Sequence, residues 1–319
     1  MSRAFRFLVG ARDALYKSGV LPTHRLQHPV ISVGNITVGG TGKTPLVILL
    51  AQRFLDEGYR PVVLSRGYKR KSAGVVVVST GNGPTVPWHV AGDEPYLIAR
   101  RAAGVAVVVG ADRYAAGLVA EQQNLGNLFI LDDGFQHRRL FRNVDLVTID
   151  PTEWAAGEKL FPYGRWREPQ KAIQRAHAAL VQASGRSSDE LLKLPIPTFG
   201  IETVLDGIFL DGIYKGSEPI FPDYLRHRAV TAFAGIAKPH RFFSALESLG
   251  IPPTQRVSFR DHHTYTRHDL EQLKGEILIT TEKDAIKLEG LHDEFMHLRI
   301  SARIPELDRL LELIRTRLT

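Results

Sequence analysis

Short apolar runs alternate with helical stretches between residues 30 and 150. Five of the runs are rich in β-branched residues: VISVG, PVVLSRG, GVAVVVGADR, NLFILDDG and VDLVTID. A strand that is apolar on both faces is typical of a buried parallel sheet with helices on either side. The pattern therefore predicts an α/β domain, and the polar residues that end these runs are expected at the edge where such a sheet binds its ligand.

The pattern changes after residue 150, where FPYGRWREP is rich in proline, glycine and aromatic residues. The stretch FGIETVLDGIFLDGIYKG then predicts a hairpin linker. A second α/β set follows, with strands in AVTAFAGIA, EILITTEKDA and FMHLRIS and an amphipathic helix over 305–318. We predict an N-terminal amphipathic helix within 1–28, a core domain at 29–198, a two-stranded linker at 199–216 and a smaller C-terminal α/β domain at 217–319.

The N-terminal segment RAFRFLVGARDALYK, residues 3–17, predicts an amphipathic helix that Arg12 interrupts on its apolar side. Such a helix can pack on the core or lie in a membrane interface, and the sequence alone leaves both interpretations open. The apolar arc of the helical wheel holds Phe5, Leu8, Val9, Leu15 and Tyr16, and the opposite side holds Arg3, Arg6, Asp13 and Lys17.

Composition narrows the possible chemistry. The 319 residues include no cysteine, which excludes a disulfide framework, thiolate metal sites and a cysteine nucleophile. The net charge of +7 indicates an anionic partner. No apolar run approaches the ~20 residues of a spanning helix, and no export signal is evident, so we expect neither an integral nor an exported protein.

A glycine-rich loop, NITVGGTGKTPL, follows the first apolar run. Small residues let backbone N–H groups converge on a phosphate, and the next helix begins with an N-terminus that favours an anion. In such a loop Lys43 reaches the β- and γ-phosphates and Thr44 contacts Mg²⁺. The P-loop pattern has a glycine where this chain has Thr37. The residues predicted to bind a nucleoside triphosphate are Thr37, Gly39, Gly40, Thr41, Gly42, Lys43 and Thr44.

Other polar clusters end strands or begin helices. Asp132 and Asp133 suit the Mg²⁺ site of a P-loop enzyme, although such acids are also common solvated strand ends. Asp93 in VAGDEP can equally be a helix cap. Arg113 in GADR can clamp a phosphoryl group or form a structural ion pair. The roles of Glu282, Lys283 and Asp284 in TTEKDAIKL stay open, since they also suit an ion network at a helix start.

Eight motifs occur in one order along the chain: SVGNITVGGTGKTP, LSRGY, GDEP, GADR, LDDGFQHRRL, YGRWREP, DHHTY and TTEKDAIKL. Together they closely resemble the tetraacyldisaccharide 4'-kinases, the lipid A pathway kinases of Gram-negative bacteria, over nearly the whole chain. The resemblance implies a P-loop kinase with helices on both faces of a parallel sheet, a second α/β domain and a two-stranded linker. It further implies a peripheral protein at the cytoplasmic face of the inner membrane.

The activity implied by this resemblance is transfer of the γ-phosphoryl of ATP to the 4'-hydroxyl of a tetraacyldisaccharide 1-phosphate, which gives lipid IVA. Lys43 and Thr44 would bind ATP and Mg²⁺, and an acid of DDG would complete the magnesium site. Asp93 would be the base for the sugar hydroxyl, assisted by His262, the first histidine of DHH. The remaining residues carried over to the active site by motif are Arg113, Gln136, Arg167 and Glu168.

Two other classes of protein were compared with this interpretation. Partition-type ATPase switches also carry GGxGKT loops, but they have a lysine where this chain has Val38. A nucleic-acid-binding protein would agree with the positive charge, yet the basic residues form no long run and no familiar nucleic-acid motif is present. We therefore expect ATP, an acylated disaccharide and an anionic membrane leaflet as partners, and no nucleic acid.

Overall fold

The computed structural model describes residues 2–183, 192–212, 218–292 and 294–318. The helices in these ranges are α1 (Ser2–Lys17), α2 (Lys43–Asp56), α3 (Trp88–Ala91), α4 (Asp93–Arg101), α5 (Arg113–Gln122), α6 (Pro151–Ala155), α7 (Pro239–Ser248), α8 (Arg267–Glu271), α9 (Glu282–Ala285) and α10 (Leu307–Arg315). The strands are β1 (Val30–Asn35), β2 (Pro61–Ser65), β3 (Val76–Thr80), β4 (Ala106–Val109), β5 (Leu128–Asp132), β6 (Val144–Ile149), β7 (Ala178–Gln182), β8 (Thr198–Gly212), β9 (Val230–Ala234), β10 (Gln255–Ser258), β11 (Ile277–Thr281) and β12 (Glu294–Arg303).

All of these strands belong to one mixed sheet, in the order β10-β9-β11-β12-β8-β7-β6-β1-β5-β2-β4-β3. Neighbouring strands from β7 to β4 are parallel, and β3 is an antiparallel edge strand. The eight strands read from the sequence are all present. The edge strand β3 and the strands β7 and β10 were not predicted.

The parallel region is apolar on both faces, as predicted. Along β5 the residues Leu128 and Ile130 pack in one buried cluster with α2, α4 and α10, whereas Phe129 and Leu131 pack in another with α5. Successive side chains of a strand point to opposite faces, so this division places helices on both sides of the sheet. The α/β architecture is therefore confirmed, and the carboxyl ends of its strands form one edge.

The long strand β8 connects the two halves of the chain. Its first four residues pair in parallel with β7, and the rest of the strand, from Glu202 to Gly212, pairs antiparallel with β12. Residues 294–303, which form β12, are therefore the antiparallel partner of β8, and the two-stranded linker at 199–216 stays a prediction. Residues 213–217 lie outside the described residues. The boundaries given for the four segments stay a prediction.

The inner side of α1 is fixed by ion pairs. Arg12 Nη2 lies 3.2 Å from the buried Glu168 Oε1, and Asp13 pairs with Arg138. The Arg138 guanidinium also lies 4.9 Å from the ring centre of Tyr16. Arg12 and Asp13 therefore both face the protein. Arg12 agrees with its place on the apolar side of the helical wheel, whereas Asp13 was placed on the opposite side. The wheel could not show the partner of Asp13, since Arg138 is more than 100 residues away in sequence.

The outer side of α1 is apolar. Phe7 is 75% exposed, Leu8 64% and Leu15 41%. The apolar residues of α1 are thus divided between two sides. Phe5, Val9 and Tyr16 are half-buried, whereas the three exposed residues face outward. Among the described helices, none combines the length and apolarity needed to cross a bilayer.

Candidate active site

The glycine loop connects β1 to α2 and is fixed to three strands. Thr41 Oγ1 accepts from Asn35 Nδ2 at 3.1 Å and lies 2.7 Å from Thr148 Oγ1, while the Thr41 carbonyl accepts from Gln182 Nε2 at 3.1 Å. Gly42 has φ 77°, and a Cβ there would lie 2.7 Å from Gln182 Nε2. A left-handed backbone and this close contact both require glycine, so the loop is rigidly positioned before a ligand arrives.

Thr37 replaces the first glycine of the P-loop pattern without strain. Its backbone is not left-handed, and it forms a bridge with Trp166. Arg165 folds over the next residues and donates from Nε and Nη2 to the Val38 carbonyl at 3.1 and 2.7 Å. The backbone at Thr37 is therefore compatible with a side chain, which explains the departure from the pattern.

Asp132 is a buried carboxylate at the end of β5. Its Oδ2 accepts from Ser65 Oγ at 3.0 Å. Burial, with the nearby charges of Glu94 and Asp133, raises the pKa of Asp132 to about 7. The site therefore holds an acid that is costly to ionise without an added cation.

Asp133 has a left-handed backbone, with φ 53°, and lies between two cations. Its Oδ1 is 3.4 Å from Lys43 Nζ and its Oδ2 is 2.7 Å from Arg167 Nη1. Burial opposes its ionisation, but Lys43 and then Arg167 outweigh burial and lower the pKa of Asp133 to about 2. The two adjacent aspartates thus have opposite pKa shifts, because only one of them faces both cations.

Gln136 and Arg113 complete this cluster. Gln136 Oε1 accepts from Arg167 Nη1 at 3.3 Å, and its Nε2 donates to the Asn35 carbonyl at 2.9 Å. Arg113 is buried at the start of α5 and donates from Nη2 to the Asp133 carbonyl at 3.4 Å. The structure therefore brings Lys43, Asp133, Arg113, Gln136 and Arg167 together, and their roles in a reaction stay a prediction.

The residues at this edge fit a magnesium ion bound together with a nucleotide. Asp132 Oδ1 and Asp133 Oδ1 are buried and accept no hydrogen bond. Thr44 lies in the first turn of α2, directly after Lys43. Among the described residues no group of three or more acidic, histidine or cysteine side chains could hold a metal alone. Mg²⁺ usually takes one or two carboxylates and completes its shell with phosphates and water, so the two aspartate oxygens suit that ion.

Asp93 forms a second cluster at the start of α4. The side chain is buried, and its Oδ1 accepts from the Glu94 N–H at 3.0 Å. His262 Nδ1 lies 2.8 Å from Asp93 Oδ2, and Lys283 Nζ is 3.7 Å from the same oxygen. Burial opposes ionisation here too, but Lys283 and His262 outweigh it and hold the pKa of Asp93 well below its usual value. The carboxylate is therefore ionised and oriented, and it can accept a proton.

Glu94 connects the two clusters. Its carboxylate is 2.8 Å from Lys283 Nζ, and its charge is among the causes that raise the pKa of Asp132. Asp93 is thus next in sequence to Glu94, whose charge acts on Asp132 in the cluster beside the phosphate loop. This arrangement suits a reaction in which a hydroxyl loses a proton beside a phosphoryl group.

Glu168 lies in a different environment from the other predicted site residues. It is almost fully buried, and its two oxygens are occupied by Arg12 at 3.2 Å and Arg175 at 2.7 Å. The structure gives it the role of an anchor for α1. A substrate contact of Glu168 stays a prediction.

Sequence reasoning missed several groups that shape the site. Ser65 lies in LSRGY, and its position at the end of a strand could have indicated that it belongs to the site. Lys283 lies in TTEKDAIKL, whose role was left open. Thr148 and Gln182 end β6 and β7, and their contacts with Thr41 depend on strand order, which no local pattern reveals.

Asp150 links the two halves near the phosphate loop. Its Oδ2 accepts from Lys238 Nζ at 2.7 Å and Arg241 Nη2 at 2.6 Å, and its Oδ1 caps α6 through the Thr152 N–H. Burial opposes ionisation, but Lys238 and Arg241 lower the pKa of Asp150 to about 2.

We expect Asp150→Asn to keep the helix cap but lower the free energy of unfolding by about 1–2 kcal/mol at neutral pH. Because the pKa of Asp150 is lower in the folded state, its stabilisation is present above the unfolded pKa of about 4 and is lost as pH falls toward 2. Urea unfolding of both proteins at neutral and acidic pH tests this. A difference that grows on acidification would contradict it.

Comparisons with known proteins agree with this geometry. The family model for LpxK, tetraacyldisaccharide-1-P 4'-kinase, matches residues 1–319. Tetraacyldisaccharide 4'-kinase of Aquifex aeolicus is 38% identical over 313 residues, covering 98% of this chain and 96% of that protein. The enzyme of that name from Syntrophus aciditrophicus is 41% identical over 310 residues, covering 89% and 82%. The crystal structure of LpxK from Aquifex aeolicus in complex with ATP superposes with a TM-score of 0.85 at 36% identity, covering 100% of this chain and 97% of that one.

Proposed function

The chain belongs to the tetraacyldisaccharide-1-phosphate 4'-kinase family, and we infer that it transfers the γ-phosphoryl of ATP to the 4'-hydroxyl of a tetraacyldisaccharide 1-phosphate. The product of this reaction is lipid IVA. The observation that carries the inference is that an ionised, oriented carboxylate at Asp93 adjoins Glu94, whose charge acts on Asp132 in the cluster beside the phosphate loop.

In this proposal the phosphate loop and the cations beside it bind ATP. Backbone N–H groups of the glycine loop and the Lys43 ammonium contact the phosphates, and Arg113 and Arg167 supply further positive charge. Phosphoryl transfer needs little covalent help from a protein, so these groups act by positioning the γ-phosphoryl and stabilising its charge in the transition state. Gln136 orients Arg167 through the contact already described.

Asp93 acts as the base. A sugar hydroxyl is a weak nucleophile until its proton is removed, and a carboxylate can accept that proton as the bond to phosphorus forms. His262 donates from Nδ1 to Asp93 Oδ2, which fixes the carboxylate and leaves Nε2 toward Asp261, 3.8 Å away. The low pKa of Asp93 keeps the carboxylate ionised and available to accept the hydroxyl proton.

Thr44, Asp132 and Asp133 would hold Mg²⁺ in this enzyme. The ion would supply positive charge that offsets the negative charge of the ATP phosphates. Its charge would also offset the cost of ionising Asp132, whose pKa is raised to about 7 by burial and neighbouring acids.

The proposed reaction is tested by incubating the purified chain with Mg²⁺, γ-labelled ATP and tetraacyldisaccharide 1-phosphate in detergent micelles. We expect label to move to the lipid, and none to move when the lipid is omitted. A folded protein that binds ATP but labels no lipid would exclude the reaction. Nucleotide-dependent dimerisation of such a protein would favour the ATPase switch instead.

We further propose that α1 attaches the enzyme to the cytoplasmic face of the inner membrane. Its outer side presents Phe7, Leu8 and Leu15, while Arg12 and Asp13 fix its inner side to the protein. The acylated substrate is collected from a bilayer, so an apolar surface on a firmly held helix would place the active site near it. Arg6 and Lys17 are exposed on this helix and suit an anionic leaflet.

We expect replacement of Phe7, Leu8 and Leu15 by serine to reduce co-sedimentation with anionic phospholipid vesicles by at least about tenfold, because this surface supplies most of the apolar contact. Activity on substrate in detergent micelles should change little. Binding to vesicles that equals wild type would exclude α1 as the attachment surface.

A further inference from the structure

Lys283 is a mostly buried lysine that reaches from one half of the chain to the base in the other. It lies in the first turn of α9, with 19% of its side chain exposed. Its Nζ is 2.8 Å from Glu94 Oε1 and 3.7 Å from Asp93 Oδ2. Lys283 is thus the cation that balances two adjacent acids in the first turn of α4.

The turn that carries Lys283 is firmly held. Asp284 is fully buried and accepts from the Gly235 N–H at 2.9 Å and from Lys287 Nζ at 2.7 Å. On the other side, Glu282 pairs with Arg101 at 2.8 Å. The flanking acids therefore anchor the turn within the protein, and Lys283 alone of the three reaches the Asp93 cluster.

The partners of the base come mainly from the other half of the chain. Asp93 lies on α4 of the core domain, whereas His262 and Lys283 belong to the region after residue 217. Other charged groups act on Asp93 or on Lys283 from further away, namely Lys287 and Asp261. Without the Lys283 ammonium, the buried charge of Asp93 and the partly exposed charge of Glu94 would remain side by side, and repulsion between them would displace the Asp93 carboxylate.

We propose that Lys283 is a positioning residue for phosphoryl transfer, which holds the Asp93 carboxylate against His262 by neutralising the Asp93 and Glu94 pair. The proposal depends on the kinase function given above. In the reaction the bond between the sugar oxygen and the γ-phosphorus forms as the bond from that phosphorus to the leaving oxygen of ADP breaks. The hydroxyl proton passes to Asp93, while Lys283 remains charged and makes no bond.

A mutant cycle tests this role through Asp93. We expect Lys283→Met to lower kcat by of order 10²-fold, because a small displacement of a catalytic group has effects of that size, with little change in the KM for ATP. Lys283→Arg, which keeps the charge, should recover part of the loss. Removing Lys283 from an Asp93→Asn enzyme should cost little more, since the group that it positions is already absent.

The controls separate this role from a structural one. Lys274→Met removes an exposed lysine from the same half and should leave kcat unchanged. Thermal unfolding of each variant shows whether it is folded, and Lys283→Gln replaces the methionine variant if that one is unstable. An unchanged kcat in Lys283→Met, or an equal fractional loss in the Asp93→Asn background, would overturn the proposal while the kinase function stands. Absence of lipid labelling by wild type would instead remove the kinase function and the proposal with it.

Discussion

Asp93→Asn lowers kcat for lipid phosphorylation by about 10²–10⁴-fold, the usual contribution of a positioned general base, while the KM for ATP changes little. Asparagine has nearly the same shape, and its oxygen can still accept from the Glu94 N–H, which Asp93 Oδ1 now does at 3.0 Å. It cannot take the proton of the sugar hydroxyl. The loss therefore falls on the chemical step rather than on nucleotide binding.

The measurement is a steady-state assay with labelled ATP and the micellar lipid, together with ATP titration by calorimetry. Lys283 keeps its nearer partner in this variant, since Glu94 is 2.8 Å away, so we expect the fold to survive. His262→Gln is the companion variant. It should lose less activity than Asp93→Asn, because His262 orients the base but does not itself take the proton. A kcat close to wild type in Asp93→Asn would show that another group takes the proton.

The fold was largely predictable because the parallel strands are buried on both faces. In runs such as NLFILDDG four consecutive residues, 128–131, are apolar, and the structure divides Phe129 and Ile130 between two cores. This pattern is local, so it can be read without knowing which strands pair. The partner of β8 is not local. It lies at 294–303, and no pattern within residues 199–216 indicates that pairing.

The site was predictable where a motif combines several roles in a few residues. The loop GGTGKT contains both the glycine that takes the left-handed backbone, Gly42, and the cation that lies 3.4 Å from Asp133, Lys43. Arg12 and Lys283 show the limit of such reasoning. Each acts on a carboxylate more than 150 residues away in sequence, and only the folded chain brings those charges together.

The aspartates of DDG show a second limit. Both were assigned to Mg²⁺ from their position after a strand, and the sequence treats them alike. Their environments differ, because Asp132 faces Ser65 and Asp133 faces Lys43 and Arg167. The opposite shifts of their pKa values follow from these neighbours and could not be derived from the dipeptide.

Lys43→Ala is expected to lower kcat by about 10²–10³-fold, the usual effect of removing one preorganised group that stabilises transition-state charge, and also to weaken ATP binding. Two causes act in the same direction. The phosphates lose a point charge, and Asp133 loses the cation 3.4 Å from its Oδ1 that contributes most to lowering its pKa. The loop itself should persist, because Thr41 and Gln182 fix it through contacts that do not involve Lys43.

Lys43→Arg distinguishes charge from geometry. A guanidinium keeps the charge but is larger and planar, and it cannot replace a compact ammonium in a loop whose backbone is fixed at Gly42. We therefore expect this variant to bind ATP better than Lys43→Ala but to recover little of its kcat. Lys171→Ala, at an exposed position, is the matched control and should behave as wild type. If Lys43→Ala bound ATP and phosphorylated lipid normally, the glycine loop would not be the nucleotide site, and the cations Arg113 and Arg167 beside Asp133 would be the next groups to replace.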